Sequence, residues 1–166
     1  MYIFDIINQI EGHENIKTAK EKVAKFFIER ADAQEMAKIV QSMDFKPLLV
    51  KLFESTKFRA LRQYACKELK IDITVMFYFV GDQYNSLDLT GKPTGDKPKL
   101  GELMQFLNQL VIDSFIKTSV IMHDFEVLKK MGQDLFESSE MKSLLAFLQK
   151  NSSLKDLIQE ISEVYW

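Results

Sequence analysis

The feature that most constrains this chain is one helical pattern written twice. Ser42 to Leu69 (SMDFKPLLVKLFESTKFRALRQYACKEL) aligns without a gap on Ser138 to Tyr165 (SSEMKSLLAFLQKNSSLKDLIQEISEVY) at an offset of 96. Leu48/Leu144, Leu49/Leu145, Leu52/Leu148, Leu61/Leu157, Lys46/Lys142 and Gln63/Gln159 are identical, and Asp44/Glu140, Phe45/Met141, Phe58/Leu154 and Arg59/Lys155 keep chemical type. At an offset of 100, IINQI (Ile6 to Ile10) answers to FLNQL (Phe106 to Leu110), and IKT recurs at Ile16 and Ile116. What repeats is apolar spacing and capping chemistry. No histidine or cysteine is duplicated with it, which favours a container or scaffold over a catalyst.

The spacing is helical. Phe45, Leu48, Leu49, Leu52 and Phe53 follow i, i+3, i+4, i+7, i+8, and Met141, Leu144, Leu145 and Leu148 do the same. A second stripe follows each: Phe58, Leu61, Ala65 and Leu69, then Leu154, Leu157, Ile158, Ile161 and Tyr165. Between the stripes Ser55 corresponds to Asn151, and both can cap a helix start. Asp32 with Glu35 resembles a capping box. These signals predict an all-α chain with helices near 2–11, 16–31, 33–43, 45–54 and 56–70 in the first unit. The run ITVMFYFV (Ile73 to Val80) has strand composition, but a lone strand would lack a partner in a helical chain, so it is read as a sixth helix. The Gly/Pro-rich stretch Gly81 to Gly101 is turn and linker. The expected organisation is a first repeat over 1–80, a linker over 81–101 and a second repeat over 102–166, forming one structural domain. Trp166 corresponds to Lys70, so nothing in the second copy answers to Ile71 to Gly81.

Composition excludes several functions. A formal charge of -2 and a pI near 5.8 argue against nucleic acid as main partner, because phosphate binding needs a concentrated basic face. No apolar run approaches the roughly twenty residues of a membrane span, and YIFDII lacks the basic start and cleavage site of a signal peptide. A single cysteine excludes an internal disulfide. His13 and His123 occur in no metal-ligand spacing, and neither lies near Cys66, which is expected to be a buried structural thiol. GKPTG at Gly91 to Gly95 lacks phosphate-loop order. No metal, cofactor or enzymatic activity is expected.

A unit of roughly one hundred residues, built from short amphipathic helices and present in tandem, resembles the insect allergen-related repeat family, whose members include the group-one cockroach allergen and insect midgut relatives. The stretch SMDFKPLLVKLFESTKFRALRQYACKELKID (Ser42 to Asp72) carries the likeness. The resemblance implies two repeats packed around a shared apolar cavity that holds fatty acids or phospholipids, and secretion into a gut lumen. Expected cavity-lining residues are Ile7, Ile10, Phe26, Phe27, Ile39, Leu48, Leu52, Phe58, Leu61, Phe77, Phe106, Leu107, Leu110, Phe125, Leu135, Leu144, Leu148, Leu157 and Ile161. Lys46 and Lys142, beside the first residue of each wall helix, are the candidates for a lipid head group. The expected function is non-enzymatic carriage of acyl chains, with transient membrane contact and a homo-oligomer both compatible. The alternative is an interaction module of the same architecture, with a solid core and an exposed apolar groove for a partner helix.

Overall fold

The computed structural model describes residues 14–70, 72–115 and 119–165. Among them the chain is all-helical, with nine α-helices, a 3-10 turn and no strand. In order these are α1 (Glu14–Glu29), α2 (Ala31–Val40), α3 (Lys46–Glu54), α4 (Thr56–Glu68), α5 (Ile73–Asn85), α6 (Leu100–Phe115), α7 (Ser119–Phe136), α8 (Ser139–Gln149), the 3-10 turn Ser152–Leu154 and α9 (Lys155–Tyr165). The expected helix at 2–11 lies outside the described residues.

The α3–α4 hairpin follows from local chemistry. Pro47 sits in the first turn of α3, where a missing amide is harmless. Ser55 then leaves helical geometry at φ -63°, ψ 151° and ends α3 while starting α4. Its Oγ accepts from the Phe58 amide at 3.2 Å and donates to the Leu52 carbonyl at 2.6 Å, so one hydroxyl serves both helix ends. Ser138 does the same for the start of α8, accepting from the Met141 amide at 3.2 Å. Asn151 precedes the 3-10 turn with no side-chain cap, against expectation. Asp32 is no cap either. It lies inside the first turn of α2, because a neighbouring arginine captures its carboxylate.

Packing joins the two halves. α3 lies against α8, α4 against α7, and α1 against α6. One core cluster contains Phe45, Leu52, Phe58 and Leu61 from the first half and Leu135, Leu144, Leu148, Leu154 and Ile158 from the second. A smaller one unites Phe26, Ala33 and Leu157. Each large apolar side chain buried here contributes roughly 1.5–3 kcal/mol. Cys66 follows Ala65, which is fully buried, and the 100° step round α4 carries the thiol into solvent. The expected buried thiol is therefore exposed.

The Gly/Pro stretch is shorter and tighter than a spacer. Ile73 to Val80 is helical as read, and α5 continues through Gly81 to Asn85. The remainder is strapped onto α1, where the Thr94 and Gly95 amides donate to the Glu29 carboxylate at 2.7 and 3.2 Å. Gly91 passes so close to Ile28 that a Cβ would stand 2.9 Å from its Cδ1, and Gly95 turns at φ +90°.

Candidate functional site

The sequence-predicted lining residues divide by environment. Phe26, Leu52, Phe58, Leu61, Leu135, Leu144, Leu148 and Leu157 are each 8% exposed or less. A side chain facing a hollow wide enough for a hydrocarbon keeps open surface, so these eight pack against protein. Phe27, Ile39, Leu48, Phe106, Leu107, Leu110 and Ile161 are half-buried. Phe77 is not interior at all: it is 53% exposed. Ile7, Ile10 and the Phe125 side chain lie outside the described residues. Lys46 and Lys142 are both exposed, on the paired helices α3 and α8.

The surface that departs most from ordinary burial is α5. From Ile73 to Gly81 it carries no charged residue, yet none of its thirteen residues is buried. Its neighbour α4, far more polar, buries Phe58, Leu61 and Ala65. A helix apolar on most sides normally lies inside a protein.

Helical spacing puts Ile73, Phe77, Val80 and Tyr84 on one stripe of α5. Ile73 packs on the main core, and the Tyr84 ring meets Phe27 edge-on at 4.9 Å, so both ends of the stripe are anchored. Between them Phe77 and Val80 are 53% and 61% exposed, with Met76 beside them at 43%. Phe77 continues into an aromatic group, 5.7 Å from Phe53 and 6.3 Å from Phe58 between ring centres. The result is an open apolar strip floored by aromatic rings.

Two open grooves lie elsewhere, between the start of α6 and α9. One of ≈ 680 Å³ is walled chiefly by Lys99, Glu102, Gln105, Asn108, Glu160 and Glu163. The other, of ≈ 320 Å³, is walled by Lys97, Lys99, Asp156, Gln159, Glu160 and Glu163. Both grooves are rimmed by charge, with Met104 and Val164 adding apolar surface to the larger, whereas the α5 strip carries no charge from Ile73 to Gly81.

Sequence reasoning missed one buried polar cluster. Arg30, 2% exposed, donates through Nε and Nη2 to the two carboxylate oxygens of Asp32 at 2.9 and 2.7 Å. Its Nη1 pairs with Glu160 at 2.5 Å and donates to the Pro98 carbonyl at 3.2 Å. Burial pushes the Asp32 carboxyl up, but the Arg30 hydrogen bonds and charge outweigh it and hold the group below its usual range. The cluster ties α1, α2, the strap and α9 together. The only local sign was an arginine two residues before an aspartate, at a break between apolar stripes. Among the described residues no group of acidic, histidine and cysteine side chains could hold a metal, and no helix is long and apolar enough to cross a membrane.

Comparison with known proteins adds no relative: no family model, curated protein or solved structure matches this chain.

Proposed function

We propose that this chain binds acyl lipid without catalysing a reaction, and that two homologous helical units provide the scaffold. The unit arrangement is supported by α3 lying on α8 and by the equivalent pairs Leu52/Leu148, Phe58/Leu154 and Leu61/Leu157 all being buried. The observation that carries the lipid reading is the α5 strip, where Phe77 and Val80 stand open between anchored ends. A hydrocarbon needs apolar walls without fixed polar partners. Each methylene it buries contributes roughly 0.8 kcal/mol, so about fourteen carbons fully covered would supply on the order of 10 kcal/mol before association costs. An open strip covers only part of the chain, so affinity would be lower. The candidate site thus moves from the interior to the strip bounded by Phe53, Met76, Phe77 and Val80.

Organic extraction of the purified protein followed by mass spectrometry tests this. Acyl lipid at near-stoichiometric amounts is expected. A clean extract, with no thermal shift on adding fatty acid, would remove the reading. A second reading, an interaction module that seats a partner helix, is favoured by the packed state of Leu52, Leu144 and Leu148, and a clean extract would leave it standing.

A further inference from the structure

Charge is unevenly distributed around the α5 strip. Residues 46–82 hold seven Lys/Arg and four Asp/Glu, whereas the rest of the chain holds fifteen and twenty. All seven basic residues, Lys46, Lys51, Lys57, Arg59, Arg62, Lys67 and Lys70, are exposed. They are carried by α4, which packs on α5, by α3, which meets it through the Phe53 and Phe77 rings, and by the turn into α5; of the seven, Lys57 reaches away from the strip to the Asp134 carbonyl on α7 at 3.2 Å. Arg62 marks the junction, its guanidinium 3.6 Å from Asp72 at the cap of α5. The opposing carboxylates are few: Glu54, Glu68, Asp72 and Asp82, with Asp72 paired to Arg62 and Glu68 standing 3.9 Å from Lys67. On a chain whose formal charge is -2, an exposed apolar helix without charge from Ile73 to Gly81 is thus bordered by a basic hairpin.

We propose that α5 docks onto an anionic membrane surface, with Met76, Phe77 and Val80 entering the interface and the α3–α4 lysines and arginines meeting acidic head groups. An apolar strip with flanking cations is the combination that interfacial binding uses, because apolar burial and attraction to acidic lipid each contribute and neither alone anchors firmly. A second copy is the less suitable occupant: an isologous contact through α5 would bring both basic hairpins together, and like charges face each other at a cost. The docking shares its strip with the acyl-binding reading and supplies it with a source, a bilayer from which an acyl chain is taken.

Sedimentation with vesicles of phosphatidylcholine, alone or mixed with phosphatidylserine, tests the docking. Partition onto the mixed vesicles should be at least about tenfold stronger and should fall when salt is raised from about 0.1 M to 1 M, as the screening length shrinks from ~10 to ~3 Å. Val80→Asp, and separately Met76→Glu, should lose about tenfold on mixed vesicles while keeping the helical circular dichroism of the parent. Arg59→Glu with Lys67→Glu should abolish the preference for acidic lipid. Equal partition onto both vesicle types, no partition onto either, or unchanged partition of both strip variants would overturn the docking. So would a concentration-dependent dimer that Val80→Asp dissolves in a chain that ignores vesicles. A chain that takes up soluble fatty acid yet fails on vesicles loses the docking alone; one that does neither loses the acyl-binding reading as well.

Discussion

Removing the Arg30 guanidinium would leave the carboxylates of Asp32 and Glu160, 11% and 21% exposed, without their shared cation. An unpaired, poorly hydrated charge is costly, so Arg30→Ala should lower stability by about 2–4 kcal/mol in urea denaturation. The same cluster sets an acid limit. The folded-state value of Asp32 is lowered, so its contribution is fully present above the unfolded value of about 3.9 and is lost as pH falls through the lower folded one. The urea midpoint should therefore be insensitive to this group near neutrality and decline below about pH 4. In Arg30→Ala that part of the decline should shrink. Nothing in periodicity reveals such a cluster, since its partners come from α2, the strap and α9, far apart in the chain.

At the scale of helices, most of the fold is legible because stripes and caps are local. The spacing of Leu48, Leu49 and Leu52 places α3, and Ser55 ends it, within a residue or two of the structure. Ser55→Ala removes a cap that serves two helices and should cost about 1–2 kcal/mol, measured as a shifted urea midpoint with unchanged slope. What local pattern cannot decide is which of several apolar helices wins a place inside. Composition alone would bury α5 before α4, yet α4 presents Phe58, Leu61 and Ala65 along one face and packs on α7, while α5 spreads its apolar residues round its circumference. Cys66 was misplaced for this reason, and Phe77 lies on the surface where an interior position was expected: burial depends on the angle a neighbour subtends, which only the assembled helices define.

For the whole molecule, apolar residues from both halves meet in one cluster, with Leu52 and Leu148 both in it, while the apolar strip on α5 is left open. A packed centre and an uncovered apolar helix together make the α5 strip, not the core, the surface where a hydrocarbon guest is to be sought. The most direct measurement is a fatty-acid titration followed by thermal unfolding, run in parallel on the parent chain and on Val80→Asp. Saturable stabilisation of the parent that is lost in the variant, with the two unfolding at similar temperatures before fatty acid is added, is the expected result. Equal stabilisation of both chains, or of neither, would contradict an acyl site on α5.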